Sequence, residues 1–224
     1  MDGKKVVLIT GYEPFGGDDF NPSLELAKLL DGTEYNEYIF KTAKIPVSRK
    51  STIKVMENSI NKYEPEIILC TGLAWGRAGL SIERVATNVA DFPIPDNEGY
   101  ISKNEAIDTN GPEAYFSTIP IRVVTRTLLD AGIPAYVSNS AGTFGCNLLM
   151  YGTLNYVTKK RLNTRVGFIH VPFTPEQVAE RSKDIPTSII PSMSLDVMVR
   201  GIKIAVQAII DNHEDIEMIC GHVD

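Results

Sequence analysis

A cysteine in a glycine-containing turn is the first residue of this sequence that could do chemistry. Cys146 lies in the stretch SAGTFGCN (140–147), between an apolar run and an amphipathic one. In the first turn of a helix, unpaired N–H groups and the helix dipole favour negative charge, which predicts a lowered thiol pKa. The same N–H groups could hold a developing oxyanion. The alternative is a small thiol that only fills space, which is the expectation for Cys70 in the apolar run EIILC.

A cysteine nucleophile needs a base, and the chain has three histidines. His170 ends the apolar run VGFIH, at the carboxyl end of a predicted strand and so at the sheet edge expected for Cys146. His213 and His222 lie in a polar C-terminal segment, which is a poor place to fix a catalytic geometry. We therefore predict His170 as the base; a buried histidine with a purely structural role is the alternative.

A third group should orient the imidazole and stabilise its cation. Glu83 lies in SIERVATN among apolar and β-branched residues, where a carboxylate needs a buried partner. Arg84 points to the opposite face of a strand and is not that partner. Glu83 is thus the candidate, with a solvated residue at the sheet edge as the alternative.

A second glycine-containing turn, TGYEPFGG (10–17), follows the first predicted strand. It has neither the GxGxxG spacing nor the GxxxxGK[ST] lysine of phosphate-binding loops. Its rings, Tyr12 and Phe15, fit the wall of an apolar pocket better, and Phe144 could add a third ring. A small aromatic pocket beside a thiolate suits a compact, uncharged group.

Composition excludes several classes of function. The formal net charge is -6 and the sequence pI is near 5.2, which argues against nucleic-acid binding. No apolar stretch approaches the roughly 20 residues that span a bilayer, and the N-terminal run VVLIT is too short for a signal peptide. Three cysteines with no CxxC pair indicate free thiols, and Cys220 with His222 makes a poor metal site. We expect a cytoplasmic protein without metal or cofactor.

Strands and helices alternate along the chain, which predicts an α/β fold over a single domain, 1–224. We expect three α/β/α layers around a mostly parallel, mixed and twisted sheet, with reactive groups at the carboxyl ends of its strands. The long connection at 92–112 is expected to be functional. Strands are predicted at 5–11, 37–47, 66–73, 81–91, 134–142 and 165–172. Helices are predicted at 24–30, at 49–62 with Ser48 as a cap, after Pro120 up to Gly132, at 147–160, and at 195–210 capped by Ser192 or Ser194.

Seven stretches in order resemble the pyroglutamyl peptidase I family, the pyrrolidone-carboxylate peptidases. They are GYEPFGG, NPS, GLAWGRAGLSIERVATN, IPDNEG, AYFSTIPI, AYVSNSAGTFGCN and GFIHVPFTPEQ, and PSMSLD near residue 191 also matches the start of the family's last helix. The resemblance runs from about residue 5 to 208. One such motif would be weak, but seven in register are specific.

The resemblance implies a cytosolic cysteine peptidase that removes N-terminal pyroglutamyl (5-oxoprolyl) residues from peptides, without metal or cofactor, and that forms a homotetramer. It places the nucleophile on Cys146, the base on His170 and the acidic partner on Glu83. It places the aromatic pocket around the lactam ring on three side chains, Tyr12, Phe15 and Phe144.

Three positions depart from the family pattern. Leu73 stands where many members carry a glutamine that bonds the lactam, and Tyr12 replaces a usual phenylalanine. Pro93 stands where members usually carry an arginine credited with oxyanion binding, and the loss of one such donor can cost around 10²–10³ in rate. Arg77 or backbone N–H groups could take over that role.

These departures keep other functions open. One is a related amide hydrolase with altered specificity, and another is a catalytically impaired protein that only binds pyroglutamyl groups. A nucleoside-phosphorylase-like enzyme would share the architecture, but the sequence shows no phosphate site.

Overall fold

A seven-stranded sheet with helices on both faces forms the centre of the molecule, and the computed structural model describes residues 3–183 and 190–221. The strands are β1 (Lys5–Tyr12), β2 (Glu34–Tyr35), β3 (Tyr38–Ile45), β4 (Ile67–Leu73), β5 (Leu80–Glu83), β6 (Val85–Thr87), β7 (Ala114–Phe116), β8 (Ala135–Ser138) and β9 (Arg165–Val171). The helices are α1 (Pro22–Leu30), α2 (Thr52–Tyr63), α3 (Ile121–Asp130), α4 (Gly145–Lys160), α5 (Pro175–Ser182) and α6 (Leu195–Asp211).

The strand order in the sheet is β2-β3-β1-β4-β9-β5-β8. Pairings between β3, β1, β4 and β9 are parallel, and so is the pairing of β5 with β8. β2 is antiparallel to β3, and β5 is antiparallel to β9. The predicted α/β class with a mostly parallel, mixed sheet is therefore confirmed.

Apolar side chains are buried on both faces of the sheet. In β1, Val7 and Ile9 join a cluster with α1, α3 and α6, whereas Leu8 joins a cluster with α2 and α4. Burial on both faces explains why the central strands are nearly continuous apolar runs rather than alternating ones. The starts of α2 and α4, and the carboxyl ends of β1 and β4, then surround one edge of the sheet.

The single strand predicted at 81–91 is wrong, because the chain leaves the sheet after Glu83. β5 ends there, and β6 pairs antiparallel with β7 in a separate two-stranded ribbon. Arg84 marks the break: its N–H donates to Ser138 and its carbonyl accepts from Ser117. β-branched residues continue across the break, so strand propensity could not show that β5 and β6 pair in different sheets.

Several boundaries also differ from the prediction. Ser48 does not cap α2; its hydroxyl accepts from the N–H groups of Lys50 and Ser51 in a turn that precedes the helix. Ser194 occupies the cap position of α6 without a side-chain capping bond. The short strands β2 and β7 and the helix α5, which starts with a capping box at Thr174, were not predicted.

No helix within the described ranges is long and apolar enough to cross a membrane.

Candidate active site

His170 and Glu83 meet on the sheet face that α4 covers. In the β4–β9 register His170 lies beside Gly72, and in the β9–β5 register it lies beside Ser81. Glu83 is two residues beyond Ser81 and so projects to the same face, as the diagonal neighbour of His170. Because β5 is antiparallel to β9, Glu83 lies further than His170 from the carboxyl ends of the parallel strands. The rule that reactive groups gather at those ends would therefore not have located this carboxylate.

The His170–Glu83 pair is buried and hydrogen-bonded. The imidazole Nδ1 lies 2.7 Å from the Glu83 Oε1, and neither side chain is more than 4% exposed. The interpretation of Glu83 as a solvated residue is therefore wrong. As predicted, Arg84 is not the partner of Glu83; its Nε donates to Asn139 instead. A carboxylate on Nδ1 orients the ring and stabilises its cation, leaving Nε2 for the reaction.

Cys146 is held beside these residues by the turn that starts α4. Gly142 adopts a positive φ of 79°, a conformation that favours glycine, and Phe144 is the residue that precedes the helix. A Cβ built on Gly72 would lie 2.8 Å from the Cys146 Sγ. Since Gly72 is also the register partner of His170, the sulfur and the imidazole flank the same backbone position.

The predicted low pKa of Cys146 is wrong for this geometry. Burial raises the pKa of the thiol to about 12, the nearby Glu83 carboxylate also raises it, and Arg77 lowers it only in part. Burial likewise lowers the pKa of His170, although the bond to Glu83 opposes this shift. Both shifts favour the uncharged forms, a neutral thiol and a neutral imidazole.

A cavity of about 150 Å³ opens beside the Cys146 side chain. All four residues predicted for the substrate pocket, Tyr12, Phe15, Leu73 and Phe144, line it. The other lining residues are Asp18, Phe20, Asn21, Val47, Gly145 and Cys146.

Polar side chains in the cavity wall are mostly engaged with the protein. The Tyr12 hydroxyl donates to the Gly145 carbonyl at 2.6 Å, which gives this hydroxyl the partner it needs and ties β1 to the start of α4. Both oxygens of Asp18 accept from Arg181 at 2.6 Å. Asn21 accepts from the N–H of Ser23 as the cap of α1. The cavity is thus suited to a small neutral group.

The aromatic wall is supported by the 92–112 connection. Phe92 is buried and packs edge-on against Phe144, with ring centroids 4.6 Å apart, and Phe15 lies 5.1 Å from the same ring. Asn97 donates to Glu13 and to the Pro14 carbonyl, next to Phe15.

Asp96 fixes the fold of that connection. Its buried carboxylate accepts from the backbone N–H groups of Arg49, Glu98 and Tyr100. These bonds hold Phe92 against Phe144 and Asn97 beside Phe15. The connection is therefore part of the pocket wall.

Sequence reasoning missed several residues of the site. Val47 follows β3, whose carboxyl end adjoins that of β1, so the strand-end rule could have found it. Phe20, Gly72 and Phe92 carry no comparable signal, since their roles depend on packing. Pro93 is exposed and is not among the residues that line the cavity. Arg77 is bonded to Glu83 at 2.6 Å, so that guanidinium nitrogen is committed to the carboxylate.

In the described part of the chain, no group of three or more His, Cys, Asp or Glu side chains could hold a metal ion. His222 lies outside the described residues.

Comparison with curated proteins gives matches over almost the whole length. The pyrrolidone-carboxylate peptidase of Vibrio campbellii is 44% identical over 219 residues, which cover 98% of this chain and 99% of the relative. The pyrrolidone-carboxylate peptidase of Thermosipho africanus is 46% identical over 209 residues, covering 93% of this chain and 98% of the relative.

Solved structures give the same result. The pyroglutamyl peptidase I of Bacillus amyloliquefaciens superposes with a TM-score of 0.90 at 39% identity, over 96% of this chain and 99% of that one. A pyrrolidone carboxyl peptidase of Pyrococcus furiosus superposes with a TM-score of 0.89 at 39% identity, over 92% and 98%.

The family model described as pyroglutamyl peptidase matches residues 5–212. The chain therefore belongs to the pyroglutamyl peptidase family and is a cysteine-type omega peptidase.

Proposed function

We propose that this chain removes N-terminal pyroglutamyl residues from peptides, with Cys146 as nucleophile, His170 as base and Glu83 as the group that orients the base. One observation carries the proposal. Cys146 borders a small apolar cavity on one side and, across Gly72, the buried His170–Glu83 pair on the other.

The first half of the reaction starts from the neutral pair. His170 takes the thiol proton as the Cys146 sulfur attacks the pyroglutamyl carbonyl carbon, and Glu83 stabilises the imidazolium that forms. The carbonyl oxygen becomes negative in the tetrahedral intermediate. His170 then gives the proton to the peptide nitrogen, the C–N bond breaks, and a thioester between Cys146 and the pyroglutamyl group remains.

Water completes the cycle. His170 takes a proton from a water molecule, whose oxygen attacks the thioester carbonyl. The C–S bond breaks, the sulfur regains its proton from the imidazolium, and free pyroglutamate leaves. The protein returns to the neutral thiol and imidazole, and no cofactor takes part in the scheme.

Backbone N–H groups at the start of α4 are the proposed oxyanion donors. The first N–H groups of an α-helix have no intrahelical acceptor, and Cys146 is the second residue of α4. Donors in this position can form hydrogen bonds to the oxygen of a carbonyl that the same cysteine attacks. We propose that they compensate for Pro93, since Arg77 is engaged with Glu83.

The cavity accounts for selection of a lactam over a free amino terminus. A protonated α-amino group needs a carboxylate partner, and Asp18, the acidic side chain in the cavity wall, is bonded to Arg181. Tyr12, Phe15 and Phe144 suit the faces of a small ring. Leu73 adds apolar surface but no hydrogen bond, so backbone groups are proposed to bind the lactam amide.

Assembly as a homotetramer in the cytoplasm is also proposed. Large apolar side chains at the surface support an assembly, because Trp75 and Phe116 are 69% and 68% exposed.

Turnover of matched fluorogenic amides tests the proposed activity. Purified protein should hydrolyse a pyroglutamyl amide, and prolyl and free-amine amides should be poor substrates. Cys146→Ser and His170→Ala should abolish turnover, and Glu83→Gln should leave weaker activity. Asn139→Ala is the control, because Asn139 bonds Arg84 and does not line the cavity. Preference for another amide would indicate altered specificity, and tight pyroglutamyl binding without turnover would indicate an impaired homologue.

A further inference from the structure

The Glu83 carboxylate has a second hydrogen-bonding partner, the Arg77 guanidinium, which has no role in the proposed mechanism. Glu83 Oε1 accepts from His170 at 2.7 Å and from the Arg77 Nη1 at 2.6 Å. The other oxygen, Oε2, is buried and has no hydrogen-bonding partner among the described residues. Both contacts of this carboxylate therefore converge on one oxygen.

Charge balance makes the arginine necessary. Glu83 is fully buried, and an uncompensated buried carboxylate is costly. His170 is neutral at rest, because burial lowers its pKa. Within residues 3–183 and 190–221, Arg77 is the remaining basic side chain in ion-pair distance of Glu83. The guanidinium thus neutralises the carboxylate in the resting site.

The path of the chain places Arg77 there. β4 and β5 are not neighbours in the sheet, since β9 lies between them. The connection between β4 and β5 therefore crosses the carboxyl end of β9, where His170 lies, and Arg77 is in this connection. Its side chain is 21% exposed, so it reaches from the surface down to the fully buried Glu83.

We propose that Arg77 is a positioning residue, which balances the charge of Glu83 and holds its Oε1 against the Nδ1 of His170. This inference rests on the proposed function. Arg77 acts through the carboxylate and not by contact with the substrate.

The arrangement has a consequence for pH dependence. Charged and titratable groups around the imidazole are Glu83 from β5, Arg77 from the β4–β5 connection and Cys146 from α4, while β4 contributes Gly72. The guanidinium lowers the pKa of both His170 and Cys146. Its removal should move both values upward, so His170 would be protonated, and inactive as a base, at a higher pH than before.

The test compares Arg77→Met, Arg77→Lys and the neighbouring control Arg84→Met. For Arg77→Met we expect kcat/KM on the pyroglutamyl amide to fall at least roughly tenfold at neutral pH, with the acid limb of the pH profile moved upward. Arg77→Lys should restore part of the rate, and Arg84→Met should match the wild type. An unchanged rate and pH profile in Arg77→Met would overturn the proposal.

A double-mutant cycle separates positioning from a direct role. If Arg77 acts through Glu83, Arg77→Met should cost little more in a Glu83→Gln background. An equal cost in both backgrounds would overturn the proposal and indicate contact with the substrate.

Nuclear magnetic resonance titration of the His170 imidazole provides a readout without substrate. Its pKa should be higher in Arg77→Met than in the wild type, and an unchanged titration would contradict the inference. A protein that shows this shift but no pyroglutamyl turnover would refute the proposed function and leave the role of Arg77 intact.

Discussion

At the scale of single residues, the raised pKa of Cys146 favours a neutral thiol at the proposed nucleophile. Cys146 is half-buried at the cavity wall, and desolvation raises the pKa of its thiol to about 12. His170 is buried, and its lowered pKa keeps the imidazole free to accept a proton. In the proposed mechanism, proton transfer to His170 is coupled to attack on the carbonyl, and Glu83 stabilises the resulting cation. A site of this kind protects the thiol from oxidation, which requires the thiolate.

The pH dependence follows from the sign of these two shifts. Because the His170 pKa is lowered, the base stays neutral below the ordinary histidine value of about 6.5. The acid limb of kcat/KM should therefore have its midpoint below that value, and no decline should follow near neutral pH. Thiolate absorbance at neutral pH should be the same in the wild type and in Cys146→Ser. A thiolate band in the wild type alone would contradict the neutral pair.

How much of the site could be predicted differs from residue to residue. Cys146 was predicted from the glycine-containing turn that places it at the start of a helix. His170 was predicted from its position at the end of an apolar run, and Glu83 from the cost of a carboxylate within such a run. Arg77 could not be assigned to Glu83, because the contact depends on a connection that crosses another strand. The pKa of Cys146 was predicted in the wrong direction, since burial by distant segments is not visible in a local motif.

At the scale of the elements, periodicity and apolar runs were sufficient for the long strands and helices. β1, β4, β9, α1, α3, α4 and α6 lie where the sequence predicts them, because each has its own pattern and stop signals. β6 and β7 could not be separated from their surroundings, since a three-residue strand carries no periodicity. The antiparallel pairing of β5 with β9 could not be predicted either, because local sequence patterns do not show which strands become neighbours in the sheet.

Packing of α4 against β4 gives a prediction at this scale. In Gly72→Ala the new Cβ would lie 2.8 Å from Cys146 Sγ and 2.9 Å from the Phe168 ring, so one of them must move. We expect unfolding to become easier by about 1–3 kcal/mol, and kcat/KM to fall because the sulfur is displaced. Chemical denaturation and steady-state kinetics measure the two effects.

Gly201→Ala is the matched control. It places a Cβ 2.5 Å from a Leu80 methyl group in the cluster around α6, away from Cys146. Crowding there should leave kcat/KM of the folded protein unchanged. If Gly72→Ala also kept full activity, the sulfur would not depend on this close approach.

At the scale of the whole molecule, the pocket is assembled from segments that are far apart in sequence. The end of β1 supplies Tyr12 and the turn after it supplies Phe15, while the turn before α4 supplies Phe144. The 92–112 connection supports both turns through Phe92 and Asn97. The sequence predicted this connection to be functional but not how, because its anchors are side-chain bonds to distant backbone groups.

The proposed homotetramer is tested by the molar mass in solution. Light scattering on the purified protein at micromolar concentration should give the mass of four chains, because burial of exposed rings such as Trp75 and Phe116 favours assembly. A mass of one chain across the concentration range would reject the assembly and would leave the catalytic proposal unaffected.

Mass spectrometry of the protein quenched with acid during turnover tests the central claim most directly. With a pyroglutamyl substrate, a fraction of the wild-type chains should gain the mass of one pyroglutamyl group, and peptide mapping should place it on Cys146. Cys146→Ser should show neither adduct nor turnover. Turnover that persists in Cys146→Ser, or an adduct on another residue, would contradict the account.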